Sequence, residues 1–137
     1  MVLATAFALK QEGLELWLVE AGEDLQESLI RLATERNVGH GFIVSGIGSL
    51  SVLSVGNPAG PIFPPPMHPT EAAGPFEIVS ISGTIGDVAV KDDALHPKVH
   101  AHLSASRKDG TVLGGSLRPG SLVFWKAQVL VQILNND

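Results

Sequence analysis

The stretch KVHAHLSAS, residues 98–106, decides the fold because it alternates apolar and polar side chains over its whole length. Such alternation is typical of a β-strand with one buried face. Successive side chains of a strand point to opposite sides of the sheet, so the stretch has two distinct faces. The buried face is predicted to hold Val99, Ala101, Leu103 and Ala105, and the other face His100, His102, Ser104 and Ser106. We therefore predict a half-buried strand that presents two imidazoles whose Cα atoms lie roughly 7 Å apart.

Composition limits the chain to one compact domain, residues 1–137. Of its 137 residues, 45% are hydrophobic and 17% are charged, which is typical of a globular chain and not of a disordered one. Cysteine is absent, so disulfides and thiolate metal sites are excluded. The apolar N-terminal residues lack a basic start, and no apolar run of about 18 residues follows. We therefore expect neither a signal peptide nor a membrane span, and a cytoplasmic location.

The charge balance argues against a free-standing nucleic-acid-binding protein. Fourteen Asp and Glu outnumber nine Lys and Arg, which gives a net charge of −5. A protein that binds DNA normally presents a basic face, and the basic residues here are spread along the chain. The low charged fraction beside a high apolar fraction instead favours surface that is covered in an oligomer.

The first third of the chain predicts two strands and a helix. Val2–Lys10 and Leu14–Val19 have strand patterns, with a turn at residues 11–13 between them. Asp24 is a favoured N-cap, and Glu27 three residues later completes a capping-box-like pair. The helix that follows is predicted to bury Leu25, Leu29, Leu32 and Ala33 on one face and to end at residues 37–39.

The middle of the chain is rich in glycine and proline. Gly41–Ser45 and Ser51–Val55 are predicted strands, joined by a bend at Gly46–Leu50. Glycine pairs also follow strands in nucleotide-binding turns, but the third glycine and the following helix are missing here, so we favour a structural bend. Seven of the nine prolines lie in residues 57–75. We predict this segment as a long extended loop, because proline disfavours helices and central strands.

The remaining segments predict an antiparallel sheet. Phe76–Ser82 has a strand pattern, and residues 92–97 form a loop before the strand that carries the histidines. The Asp-Gly pair at 109–110 predicts a hairpin turn, after which Thr111–Leu113 returns antiparallel. Leu122–Leu134 is almost wholly apolar, which predicts a strand buried on both faces. The prediction is an α+β domain with about seven mostly antiparallel strands and one principal helix.

Four sequence motifs together resemble the PPC domain, the plant and prokaryote conserved domain. They occur in the order and at the spacing of that family over roughly residues 14–134. The motifs are GEDL at 22–25, SGIGSL at 45–50, GPFEI at 74–78 with SGTI at 82–85, and HAHLS at 100–104 with Gly110 and Gly114–Gly115. The resemblance implies a homotrimer of α+β subunits, each with a curved antiparallel sheet and a packed helix. The chain is similar to the prokaryotic members of the family, which consist of the domain alone and mostly lack an assigned activity. The plant members carry the domain beside AT-hook DNA-binding motifs.

The chain departs from the family pattern in two ways. It has no Arg-Gly-Arg-Pro-type AT-hook, so the DNA-binding part of the plant proteins is absent. In the family, a histidine after the glycine pair commonly joins the His-x-His strand in a three-histidine cluster that can hold a metal. Here that position is Ser116, which removes the expected third ligand.

A metal site is one interpretation of the histidine pair. Zinc usually takes at least three protein ligands, and His100 and His102 supply two. The candidates for a third ligand are His96, Glu77 and a residue of a neighbouring subunit.

We favour a hydrogen-bonded polar cluster in a cleft or at a subunit contact, formed by His100, His102, Ser104 and Ser116. General acid–base chemistry by His102 with Glu77 ranks last, because no nucleophile with an orienting base is identifiable. Ser116 and His102 have the residue types of a nucleophile and its base, but the sequence shows no carboxylate to orient the histidine.

Three functions follow from these interpretations. The first is a trimeric binding or interaction module, not predicted to be an enzyme, whose polar His/Ser cleft takes an unidentified small ligand or protein. The second is a zinc-binding protein or metal-dependent enzyme that uses His100 and His102. The third is a DNA-associated protein by analogy with the plant relatives, which the missing AT-hook disfavours. The residues themselves also favour a trimer. The last strand and Ile47–Val55 offer more apolar side chains than one small sheet and one helix can cover.

Overall fold

A computed structural model describes residues 4–91 and 94–135, and within them the chain forms six strands and one helix. The elements are β1 Lys10–Glu20, α1 Leu25–Glu35, β2 Gly41–Pro58, β3 Met67–Lys91, β4 Ala94–Ser106, β5 Val112–Leu117 and β6 Leu122–Asn135. The α+β class with one principal helix is as predicted. The expected count of about seven strands is wrong in the described chain, because two predicted strands are parts of β2. No helix in residues 4–91 and 94–135 has the length and apolar content to cross a membrane.

The strands form one antiparallel sheet in the order β1-β6-β2-β3-β4-β5. The far end of β2 also pairs with β5, where Val55 faces Leu117 and Gly56 faces Ser116. Strands β2, β3, β4 and β5 therefore close into a barrel-like ring, and β6 and β1 continue from it. Asn57 strengthens the seam, since its Nδ2 donates to the carbonyl of Gly114 at 2.9 Å. This closure pairs backbone groups at the far end of β2 with those at the end of β5, which would otherwise lie on open sheet edges.

An aliphatic core fills the concave side of this sheet. Every strand contributes alternate side chains to one cluster, and α1 adds Leu25, Leu29 and Ala33, all fully buried. The predicted helical face is therefore confirmed, with Leu32 packing at the margin of the core. Gln26 ties the helix to the sheet, because its Nε2 donates to the carbonyl of Val99 at 3.0 Å.

The start of the helix is fixed by Asp24, as the sequence predicts. Its Oδ1 accepts from the backbone N–H of Glu27 at 3.0 Å, the usual N-cap contact. Its Oδ2 accepts from the N–H of Gly120 at 2.6 Å, so one carboxylate joins the helix to the turn before β6.

The end of the helix is joined to β1 by an ion pair. The Arg36 guanidinium donates from Nε and Nη2 to the two carboxylate oxygens of Glu15, at 3.1 and 2.8 Å. These hydrogen bonds, with a further one from the indole of Trp17, hold the pKa of the Glu15 carboxyl below its usual range.

The predicted strand Val2–Lys10 and the turn after it are wrong. Residues 4–9 form no strand, and Val2 and Leu3 lie outside the described residues. Lys10–Glu20 is one strand, and residues 11–13 contain a register shift against β6 in place of a turn. The strand accommodates this irregularity as a bulge and continues to pair with β6 on both sides of it.

The glycine segment Gly46–Leu50 does not separate two strands either. It belongs to β2, whose register against β6 shifts between Ile43 and Ser45 and again between Gly48 and Leu50. At Gly48, an added Cβ would lie 2.6 Å from the Cα of Ala127, so the glycine allows close strand contact. With a third register shift between Leu50 and Val52, the predicted bend is a series of bulges in one continuous strand.

The predicted loop at residues 57–75 is wrong over most of its length. Met67–Ala73 pair with the end of β2, and only residues 59–66 connect the two strands. Prolines are tolerated here because pairing of β3 with β4 begins at Glu77, which leaves the earlier part of β3 at an edge. The loop predicted at 92–97 is also shortened, since β4 begins at Ala94, while residues 92 and 93 lie outside the described residues.

Strand β6 is not buried on both faces in the single chain. Val123, Ala127, Val129 and Val131 enter the core, whereas Phe124, Trp125 and Lys126 are exposed. The sequence pattern failed here because apolar side chains occupy both faces although the core covers only one.

Replacing Asp24 with alanine tests the double cap. Asp24→Ala removes the acceptors for Glu27 and Gly120, and we expect the free energy of unfolding to fall by about 1–3 kcal/mol in urea denaturation. Asp24→Asn keeps one acceptor oxygen, so its loss is expected to be smaller. Equal unfolding midpoints for Asp24→Ala and the unmodified chain would show that the cap contributes nothing.

Candidate functional site

The two histidines of β4 occupy the outer side of the sheet, as the alternation predicts. His100 and His102 are exposed, and their intervening neighbour Ala101 is buried. Their ring centroids lie 5.0 Å apart with the planes inclined by 48°. The rings are thus neighbours on one strand, and both are open to a partner.

Strand register surrounds the histidines with hydroxyl groups. His102 lies opposite Ser82 of β3 and Ser116 of β5, and His100 lies opposite Thr84. Ser104 continues the row, with its Oγ 2.9 Å from the Oγ of Ser80. We call this surface the polar face, formed by Ser80, Ser82, Thr84, His100, His102, Ser104 and Ser116. The predicted cluster of His100, His102, Ser104 and Ser116 is therefore brought together on neighbouring strands.

Close contact between β3 and β4 supports this arrangement. Gly83 faces Ala101, and this pair lies between the pairs Ser82–His102 and Thr84–His100. Gly83 and Ala101 are directed to the buried side of the sheet, opposite to the polar face. An added Cβ at Gly83 would overlap the His100 carbonyl oxygen and lie 2.6 Å from the Cα of Ala101. No side chain fits at Gly83 without separating the strands that position His100 and His102.

Glu77 and His96 do not join the histidines. Glu77 pairs with Ser106, four residues from His102 along β4, or about 13 Å. His96 is four residues before His100, again about 13 Å away along the strand. The acid–base pairing of His102 with Glu77 is therefore not supported, and neither residue replaces the missing third metal ligand.

The polar face does not supply a complete metal site from the described side chains. Among the side chains that the structure describes, no group of three or more His, Asp or Glu is placed to hold one ion. His100 and His102 provide two imidazoles, and Ser116 stands opposite His102 where the third is expected. Zinc normally takes three or four protein ligands, so these residues alone do not fit it.

Sequence reasoning missed a further histidine beside the polar face. His40, just before β2, lines a cleft of about 220 Å³ together with Thr84, Lys98 and His100. Its Nδ1 is buried and has no hydrogen-bond partner among the described residues. Only the pairing of β2, β3 and β4 brings His40 to His100, and local sequence carries no signal for it.

Glu77 instead lines a second cleft on the outer side of the sheet, which we call the Trp125 groove. It has a volume of about 310 Å³ and is lined by Ile47, Gly48, Ser49, Glu77, Trp125, Lys126 and Gln128. The Lys126 ammonium lies 4.3 Å from the centroid of the Trp125 ring, a cation–π contact.

Comparison with known families and structures agrees with the resemblance noted from the motifs. The sequence profile of the Plants and Prokaryotes Conserved (PCC) domain matches residues 16–135. The predicted extent of the resemblance, roughly residues 14–134, is therefore confirmed.

Solved structures share the fold. A plant- and prokaryote-conserved (PPC) protein of Pyrococcus horikoshii is 24% identical, with a TM-score of 0.79 over 98% of this chain and 87% of that one. A metal-containing protein of Archaeoglobus fulgidus is 27% identical, with a TM-score of 0.79 over 98% of this chain and 88% of that one. A putative DNA-binding protein of Bacteroides thetaiotaomicron is 19% identical, with a TM-score of 0.72 over 92% of this chain and 82% of that one.

Curated relatives are much longer proteins. The bifunctional protein GlmU of Synechococcus sp. (strain JA-2-3B'a(2-13)) is 30% identical over 112 residues, which are 80% of this chain. The chain spans 15% of the length of that relative.

Two glycines of β3 give a matched test of the polar face. Gly83→Ala is expected to destabilise the chain by about 1–3 kcal/mol, because the new methyl group overlaps the backbone of β4. Gly86→Ala serves as the control on the same strand, since an added Cβ there meets nothing within 4 Å. Urea denaturation measures both, and equal stability of the two variants would contradict the close contact at Gly83.

Proposed function

The chain belongs to the Plants and Prokaryotes Conserved (PCC) domain family, and from this membership we propose that it acts as a homotrimeric binding module. In this proposal the polar face is the binding surface, and its partner is a small polar ligand or a protein. The activity of the much longer curated relatives is not carried over to this chain.

The observation that carries the proposal is the composition of the polar face. Its seven residues are short and uncharged or imidazole-bearing, and they present hydroxyls and ring nitrogens in rows. Hydroxyl and imidazole groups act as both donors and acceptors of hydrogen bonds, so they suit recognition of a polar partner.

The trimer is supported by a second exposed surface, which we call the apolar face. It lies on the outer side of β1, β6 and β2 and includes Leu14, Leu16, Leu18 and Ile47, all more than half exposed. Leu16 pairs with Leu130 and Leu18 with Gln128, so these side chains are neighbours across the strands. Covering them in an assembly contributes roughly 25 cal/mol per Å² before the costs of ordering.

DNA is not part of the proposal. The putative DNA-binding protein of Bacteroides thetaiotaomicron is 19% identical to this chain, so the similarity concerns the fold. The net charge of −5 opposes binding to a polyanion.

The assembly is tested by measuring the molecular mass in solution. Sedimentation equilibrium at micromolar concentration is expected to give three times the chain mass of 14.4 kDa. Leu16→Glu places a charge in the apolar face and is expected to shift the mass toward the monomer. Val112→Glu changes an equally exposed residue of β5 outside that face and is expected to leave the trimer intact. A monomer at every concentration of the unmodified chain would refute the trimer.

A metal-binding role is the second candidate, favoured by one comparison. The Archaeoglobus fulgidus protein described as metal-containing is 27% identical over nearly the whole chain. The adjacent rings of His100 and His102 supply two ligands, and the described side chains do not complete the set. A bound ion would need a further ligand from a neighbouring copy.

Elemental analysis of protein purified without a metal-affinity tag separates the two candidates. The binding-module proposal predicts zinc far below one equivalent per chain, unchanged in a His100→Ala/His102→Ala variant. His68→Ala is the control, because His68 is an exposed histidine of β3 that faces Asn57 and is not one of the seven residues of the polar face. One equivalent of zinc that is lost only in the double variant would establish the metal site instead.

A further inference from the structure

The loop between β2 and β3 projects apolar side chains into solvent. Residues 59–66, AGPIFPPP, contain four prolines and no charged residue, and we call them the Pro-rich arm. Phe63 is 93% exposed and Ile62 is also exposed. The base of the arm is closed by a hydrogen bond from the N–H of Ala59 to the carbonyl of Pro66 at 2.8 Å. The arm is thus a restrained apolar projection that loses little conformational freedom on docking.

The Trp125 groove has the complementary character. Trp125 is 68% exposed although Lys126 contacts its ring, and the exposed Ile47 lies beside it. Grooves with exposed aromatic rings are the usual receptors for Pro-rich segments, which stack on the ring and bring little entropy to lose. Glu77, Lys126 and Gln128 form a polar rim around the apolar floor, as in other docking sites.

The arm cannot occupy the groove of its own chain. The groove lies at Ser49, where the Oγ accepts from the N–H of Trp125 at 3.2 Å. The arm begins ten residues further along β2, about 30 Å away along the strand. An eight-residue loop that is closed at its base reaches about 13 Å at most. Any occupant of the groove that comes from this sequence is therefore supplied by another copy.

A cyclic trimer requires this kind of contact. Unlike a twofold dimer, a threefold ring joins two different patches, so that each subunit offers one patch to the next copy and receives the other. We propose that the Pro-rich arm of each copy docks in the Trp125 groove of the next. This inference rests on the trimer of the proposed function and adds a contact between two different patches to the burial of the apolar face. Phe63 and Trp125 lose solvent contact in the process.

Disulfide trapping tests the contact directly, because the chain has no cysteine of its own. Ile62→Cys combined with Gln128→Cys keeps Phe63 and Trp125 in place. Oxidation at micromolar concentration is expected to give covalent dimers and trimers on a non-reducing gel. The control is Phe7→Cys with Gln128→Cys, which starts from another highly exposed phenylalanine, 81% accessible, outside the arm. The control is expected to give little cross-linking.

A second measurement, of trimer association without cross-linking, does not depend on the folding of the cysteine variants. Phe63→Ser is expected to weaken trimer association by roughly tenfold or more, since one large apolar side chain loses its burial. Phe7→Ser is the matched control and is expected to leave association unchanged. Fluorescence in a Trp17→Phe background reports on Trp125 alone, and its emission is expected to move to longer wavelength in Phe63→Ser.

The outcomes separate this inference from the trimer itself. A trimer that shows no specific cross-link, and whose association is insensitive to Phe63→Ser, refutes the arm contact and leaves the trimer standing. Cross-linking within one chain likewise refutes it. A monomer at all concentrations refutes both. Specific cross-linked trimers, together with weaker association in Phe63→Ser, support the arm contact.

Discussion

The aliphatic interior of the barrel-like sheet fixes the direction of the side chains on its outer surface. Each buried residue of a strand forces its two neighbours to the other side, because side chains alternate with a period of two. In β4, burial of Val99, Ala101 and Leu103 is what holds His100 and His102 outward. A shift of one residue in this strand would bury the imidazoles and expose the core, so the energy of the core also enforces the register of the polar face.

The sequence predicted the structure correctly where neighbouring residues alone decide the local conformation. The alternation of β4, the cap at Asp24 and the turn at Gly110 were all readable, since each depends on residues close together in the chain. It failed where a neighbouring strand overrides local preference. Met67–Ala73 form a strand despite Pro69, because β2 pairs with one side of this segment and the other side is an edge. The approach of His40 to His100 depends on three strands and has no local trace.

The outer surface is divided into two halves of different chemistry. On β3, β4 and β5 it carries the hydroxyls and imidazoles of the polar face together with the exposed Val79 and Val112, whereas on β1, β6 and part of β2 it carries leucine, isoleucine and tryptophan. Both halves use the same alternating pattern, and only the identity of the outward residues differs. The alternation of side chains therefore predicts which residues point outward. The chemical type of those residues then indicates whether the surface suits a polar partner or burial in an assembly. This is why β6, apolar on both sides, was wrongly predicted to be fully buried.

The strand β6 is synthesised after both of the strands that pair with it. In the described sheet, β1 has β6 as its strand partner, with Lys10 facing Asn135, and β2 also needs β6 along one edge. During translation, β1 and half of β2 therefore leave the ribosome long before the strand that completes their hydrogen bonds. Contacts between residues so distant in sequence form slowly. The nascent chain thus carries unpaired strand edges and an open core until its final strand emerges, which makes synthesis the stage at which it is most prone to aggregation.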